Sequence, residues 1–158
     1  MIILPDTLWS RLLDEFRWPR KSVERVAYFD GVSAGTDAII TTLTFPNAQL
    51  EKSHFRVPPE AMSECGAHFR KFGMVRVAQV HTHPGDWVDH SPYDNQMAYS
   101  QHRGAISIVL PKHARKRPQL KDCGLHIRSV SSWERIPPEK ADDVIHQIPG
   151  LLDFRRKR

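Results

Sequence analysis

The sequence predicts an α+β fold, a curved and mostly antiparallel sheet flanked by helices. Helical and strand periodicities alternate along the chain. The strand segments are rich in β-branched residues and bounded by Gly, Pro or Asp. No repeat interrupts them, and no linker is long enough to separate domains. Residues 1–158 therefore read as one domain with one ordinary core.

Asp6 stands where a helix cap belongs, ahead of an apolar face of Leu8, Trp9, Leu12, Leu13 and Phe16. After Pro19, Val23 to Phe29 reads as a strand ending at Asp30-Gly31, and Ala38 to Phe45 as its partner. His54 to Val57 is expected to extend the sheet. Pro58-Pro59 opens a second helix with Met62, Cys65, Phe69 and Phe72 spaced for one buried face, and Gly73 ends it. Val75 to Thr82 is the next strand. A polar loop and a short helix from Pro92 to about Ser100 follow. Ala105 to Leu110 and Gly124 to Val130 read as further strands. Pro137-Pro138 opens a last short helix through Ile148, which with a basic tail fills about 137–158.

Composition removes several classes of function. No apolar run approaches the roughly 20 residues that cross a membrane, so no membrane partner is expected. The N-terminal MIILPDTLWSRLLDEF lacks a basic leader, and Pro5 and Asp6 break its apolar stretch, so it does not read as a signal peptide. The two cysteines, Cys65 and Cys123, lie far apart and form no CxxC pair, which favours a reducing cytoplasm over a disulfide framework. Some of the +5 net charge gathers in Lys112–Arg117 and Arg155–Arg158. Such runs can meet nucleic acid or an acidic protein surface. A solvated loop and a frayed tail explain them more simply, and no aromatic residue interleaves for base stacking. Nucleic acid is not an expected partner.

The chemistry concentrates in His81-Thr82-His83-Pro84-Gly85-Asp86-Trp87-Val88-Asp89-His90-Ser91-Pro92-Tyr93-Asp94. On a strand, side chains two apart point the same way, so His81 and His83 present two imidazoles at one strand end. An HxH pair in a chain with nine histidines is weak evidence by itself. Ser91 and Asp94, taken alone, resemble a capping box with Pro92 at the first helical position. Together the two features place a third ligand, from a helix start, beside two from a strand end. Requiring both reduces chance matches to on the order of one in a few hundred. Two His and one carboxylate with a fourth position free is the donor set of a catalytic zinc rather than a structural one. One metal ion is expected, because Cys65 and Cys123 supply no second ligand motif.

His81-Thr82-His83-Pro84 followed at this spacing by Ser91-Pro92-Tyr93-Asp94 resembles the JAMM (MPN+ or JAB) zinc metalloisopeptidases. The coarse element order is also similar, over about Leu8 to Val130. The resemblance implies the cytidine-deaminase-like MPN/JAB fold and a single Zn2+ held by His81, His83 and Asp94. It implies that Ser91 donates to the oxyanion of the tetrahedral intermediate. It also implies an upstream carboxylate base a few residues before a Gly, the place that Glu24 occupies ahead of Gly31. Glu51, Glu60 and Glu64 fit that place less well; a charge paired at a strand edge is the plainer role for Glu24.

The family's substrates are the bonds after the C-terminal Gly of ubiquitin or a ubiquitin-like protein. A ubiquitin-like protein or its conjugate is therefore the expected partner, its tail lying extended beside the sheet. The chain lacks the long insertions of eukaryotic members. It looks like the compact bacterial ones found with activating and conjugating enzymes in ubiquitin-like antiphage operons. A sulfur-carrier protein or a conjugated nucleotidyltransferase is the alternative substrate; a metal-free MPN-type scaffold and a basic nucleic-acid-binding module are the alternatives without catalysis. Trp87 either walls a substrate channel or pins its loop to the core. Asp86 and His90 either contact substrate or, on the favoured reading, are solvated loop residues, and Tyr93, Met97 and Tyr99 are read as packing.

Overall fold

The computed structural model describes residues 1–17 and 22–155; Pro19, Arg156, Lys157 and Arg158 lie outside the described residues. The strands are β1 (Ile2–Pro5), β2 (Val26–Ala34), β3 (Asp37–Thr44), β4 (Gln49–Leu50), β5 (Phe55–Arg56), β6 (Val75–Thr82), β7 (Ile106–Leu110), β8 (Gly124–Arg128), β9 (Trp133–Ile136) and β10 (Ile145–Ile148). The helices are α1 (Asp6–Arg17), α2 (Pro59–Phe72), α3 (Pro92–Met97) and α4 (Ala141–Val144). Eight strands make one sheet in the order β10-β1-β3-β2-β6-β7-β8-β9. Within it β1 runs parallel to β10 and β3, and β6 parallel to β7. The other neighbours are antiparallel, so the expected fold class is the observed one.

Helix α1 buries Trp9, Leu12, Leu13 and Phe16, each worth about 1.5–3 kcal/mol on transfer from water. A helix of this length is marginal alone, so that burial holds it. These side chains meet Ala27 and Phe29 of β2, Ile40 of β3 and Ile108 of β7 in the main core. Asp6 starts the helix but takes the Gly150 backbone N–H at 2.8 Å. A smaller core on the other side joins Val26, Tyr28 and Phe55, with Met62 and Tyr99 against it.

Several expectations are corrected. Strand β2 begins at Val26 and runs past Asp30-Gly31 to Ala34, with a register shift at that dipeptide in place of a turn. Gly31 is required there: a Cβ would stand 1.9 Å from the Ile39 carbonyl oxygen. Residues His54–Val57 do not extend the sheet; Phe55–Arg56 pairs only with Gln49–Leu50, in a separate hairpin. Helix α2 ends at a left-handed Gly73 as expected. Its face is far less buried than its spacing suggests, with Ala61 covered and Phe72 61 % exposed. Thr42, Thr44, Phe45, Ala61, Phe69 and Phe72 line an open groove of about 800 Å³ there.

The last helix is cut short. A 3-10 turn at Pro138–Lys140 and the single turn of α4 give way to β10, because Ile145 and Ile148 belong to an edge strand beside β1. Strands β1 and β9 were not anticipated. Helix α3 stops at Met97, short of Ser100, and β8 stops at Arg128, leaving Val130 exposed. No helix among the described residues is long and apolar enough to cross a membrane.

Candidate metal centre

Strand β6 is central, between β2 and β7, and its last six residues are buried. His81 pairs with Val26 of β2 and with Val109 of β7, so its position is fixed from both sides. Phe55 closes over it with ring centroids 5.3 Å apart. His83 follows the end of the strand, and its backbone is gripped from the β7 side: its N–H donates to Leu110 O at 2.9 Å and its carbonyl accepts from His113 N, in the turn after β7, at 2.8 Å. His113 belongs to a turn in which Lys112, His113 and Ala114 all have positive φ, of 53°, 52° and 59°. The Lys112 N–H of the same turn reaches Gly85 O at 2.8 Å.

Asp94 arrives from the first turn of α3. Ser91 is its cap: the Ser91 hydroxyl oxygen accepts from Asp94 N at 3.1 Å, while Ser91 N and Oγ both donate to Asp94 Oδ2 at 2.7 Å. The capping box and the proximity to His81 and His83 coexist. Among the described residues, His81, His83 and Asp94 are the group of three able to converge on one ion, and all are buried.

The spacing fits a metal ion. His81 Nε2 and His83 Nε2 are 3.2 Å apart, with Asp94 Oδ1 3.4 Å from the first and Asp94 Oδ2 3.3 Å from the second. Four ligands at about 2.0–2.1 Å in a tetrahedron have edges of about 3.3 Å. Outer contacts agree: His83 Nδ1 donates to Trp87 O at 3.0 Å, which leaves Nε2 with its lone pair turned inward. Burial lowers the His81 pKa. Burial acts the same way on His83, but Asp94, the Trp87 carbonyl and Glu24 outweigh it and the net shift is upward. Burial alone would raise Asp94, yet its pairing with His81 and His83 and the hydrogen bonds from Ser91 hold it far below the usual carboxylate range.

Glu24 lies just ahead of β2. Arg25 N donates to Thr82 Oγ1 and Thr82 N to Arg25 O, both at 3.0 Å, continuing the β2–β6 pairing so that Glu24 falls opposite His83. It is 4 % exposed. Burial pushes its carboxyl up to about 7, with His83 pulling it down and Asp94 adding to the rise. Glu51, Glu60 and Glu64 are exposed. The site thus holds one carboxylate tied to the imidazoles and one able to exchange a proton near neutrality.

Trp87 lies beside the trio. Its ring stacks on His83 at 5.3 Å and 17°, while 55 % of the residue stays exposed above the site. Val88, next to it, is buried against Gly124, where a Cβ would stand 1.8 Å from the Val88 carbonyl oxygen. Asp86 is a surface residue paired with Lys112 Nζ at 2.8 Å. His90 is not solvated. It stacks on His126 at 4.0 Å and bonds Asn95 and Ser107. Its local sequence gave no sign of this, because Ser107 lies on another strand. Tyr93 reaches Phe55 O at 3.1 Å and Tyr99 packs on Tyr28; Met97 is 43 % exposed, so it does not pack as expected. The basic cluster is largely answered within the chain, Lys112 by Asp86, Arg115 by Ser22 and Arg117 by Asp14.

No family model matches the chain. It is similar to the probable metalloprotease y4jG of Sinorhizobium fredii (strain NBRC 101917 / NGR234), at 28% identity over 82 residues, 51% of this chain. The matched segment spans about half the length of that curated relative, 50%. Among solved structures, protein DSY2949 from Desulfitobacterium hafniense superposes with a TM-score of 0.72 at 18% identity, over 96% of this chain and 95% of that one. A protein from Salinibacter ruber superposes with a TM-score of 0.53 at 15% identity, over 86% and 88%. These two likenesses concern the fold alone.

Proposed function

We propose that this chain is a zinc-dependent metallopeptidase of the JAMM type, cutting the peptide or isopeptide bond after the C-terminal Gly of a ubiquitin-like protein. The observation that carries the reading is a buried carboxylate, Glu24, beside three buried side chains whose ligand atoms converge within 4.8 Å of one another. The probable metalloprotease from Sinorhizobium fredii supports the coarser reading, a metallopeptidase.

His81 Nε2, His83 Nε2 and one Asp94 oxygen would hold the ion, which supplies Lewis acidity toward water and a carbonyl when bound. Glu24 takes a proton from the attacking water onto its carboxylate and delivers it to the leaving amine nitrogen. In the metal-free protein burial pushes its carboxyl up to about 7, within the range that a group taking and returning a proton needs. Ser91 Oγ, which donates to Asp94 Oδ2 in this structure, turns its hydrogen to the oxyanion as charge develops there. Asp94 keeps the Ser91 N–H meanwhile, so the helix start stays formed.

The surroundings support the substrate class. An extended tail would run past the short β5 strand, whose Phe55 ring covers His81. On the other side the exposed Trp87 face offers apolar contact beside His83. The physiological role we infer is ubiquitin-like deconjugation or precursor processing, alongside operon-encoded activating and conjugating enzymes in bacterial antiphage defence.

The test is incubation with a panel of ubiquitin-like proteins fused through their terminal Gly to a reporter, with and without chelator, and mass determination of the products. Chelator-sensitive release after that Gly is the expected result. A zinc-loaded protein that releases nothing from any fusion would rule out the substrate class.

A further inference from the structure

Helix α3 supplies both Asp94 and Ser91, yet it has only six residues. So short a helix cannot hold a ligand by its own stability. Its capping box orders the turn internally and does not fix where the turn sits relative to β6. Beside the Tyr93 hydroxyl's bond to Phe55 O, His90 makes the outside connection that reaches the sheet next to β6. Its ring nitrogens are each 2.9 Å from a partner: Nδ1 from Asn95 Oδ1, and Nε2 from Ser107 Oγ. Nδ1–H donates to the amide oxygen, so Nε2 accepts the serine hydroxyl.

Asn95 is the residue after Asp94, and its N–H donates to Ser91 O at 3.1 Å, closing the turn. Ser107 is wholly buried on β7, the strand that runs in parallel register with β6 and places Val109 opposite His81. One side chain therefore ties the turn carrying the third ligand to the strand beside the first two. The ring is held in its plane by the stack on His126, and Trp133 meets it edge-on at 5.1 Å.

We propose that His90 is a positioning residue of the metal centre, clamping the Ser91–Asp94 turn to β7 and so setting Asp94 against His81 and His83. This rests on the reading of that trio as a metal site. Groups that orient ligands from outside the coordination sphere typically change metal affinity by about 10–100-fold when removed.

The experiment measures Zn2+ affinity by chelator competition and the visible spectrum of the Co2+ form, for wild type, His90→Ala, His90→Gln and Ser107→Ala. Melting of each metal-free protein is recorded alongside. His90→Ala should bind Zn2+ about 10–100-fold more weakly with an altered Co2+ spectrum. His90→Gln, which can donate and accept in the same place, should recover most of the loss. Ser107→Ala removes one hydroxyl, leaves the stack intact and should weaken Zn2+ in the same direction, which keeps the test decisive if His90→Ala does not fold. A purely packing role would lower the melting temperature of metal-free His90→Ala and leave its Zn2+ affinity and Co2+ spectrum at wild-type values; that result overturns the proposal. Wild-type protein that binds no Zn2+ would instead overturn the metal-site reading, and this inference with it.

Discussion

Glu24→Gln exchanges one carboxylate oxygen for an amide nitrogen of nearly equal size. With its carboxyl pushed up to about 7, Glu24 is protonated in about half of the metal-free molecules at pH 7. The neutral amide therefore resembles a form that the fold already accommodates. Expected zinc content is unchanged, and expected stability at pH 6 lies within about 1 kcal/mol of wild type. A positioned general base contributes about 10²–10⁴-fold, so kcat should fall by that factor, or about 3–5 kcal/mol at 1.36 kcal/mol per decade. The base works deprotonated, so wild-type activity should be lost as pH falls through about 7, or lower once a dication stands beside the carboxylate. The variant's residual activity should lack that limb. In the metal-free protein the unfolded chain gives up this proton first, so stability should decline as pH rises from 4.5 through about 7, and the variant should lose this slope. The assay is turnover of a ubiquitin-like fusion by protein carrying one zinc, followed by mass. A variant that holds its zinc and turns over at the wild-type rate removes Glu24 from the mechanism.

Ser91→Ala should lose about 1 kcal/mol of stability with the capping box and about 10²–10³ in kcat with the oxyanion donor. A loss confined to urea melts, with kcat intact, would leave Ser91 a cap alone. His126 is 3 % exposed, and burial lowers its pKa to about 3, so acid protonates the unfolded chain from about 6.5 downward while the folded chain stays neutral. Stability is thus lost as pH falls, and metal-free His126→Phe should be spared about 2 kcal/mol of the loss between pH 7 and 5; matching acid slopes in urea titrations would contradict this. Arg76 lies between the rings of Tyr28 and Phe69 and pairs with the fully buried Asp30 at 3.0 Å. Arg76→Met should cost about 3–5 kcal/mol by leaving that carboxylate without its counter-charge, and adding Asp30→Asn should return some of it; equal stability of Arg76→Met and wild type in urea would refute the account.

Most of the site could be read from the chain because its elements are local. The alternation of Val75–Thr82 and the Ser91–Asp94 cap are short-range patterns, and both appear where they were expected. Glu24 was singled out only through the family resemblance. What distinguishes it physically is burial opposite His83, a product of strand pairing that no window of sequence contains. Strands β1 and β10 were missed for the same reason: four residues carry little signal, and Ile2 pairs with Ile145 across nearly the whole chain. The helix expected through Ile148 failed because its apolar spacing suited a strand equally well. Helix α2 has the right period, but periodicity does not say whether anything packs on the face it marks.

The left-handed turn at Lys112–Ala114 has a consequence for anyone wishing to harden this protein against heat. Three residues bearing side chains sit where each costs about 1–2 kcal/mol more than an ordinary helical conformation. Lys112→Gly is the natural stabilising substitution, since glycine adopts that backbone freely. The same change deletes the Lys112–Asp86 pair and loosens a turn whose N–H groups hold the carbonyls of His83 and Gly85. Thermal robustness and the stiffness of the loop that carries the candidate ligand His83 therefore compete for the same residue.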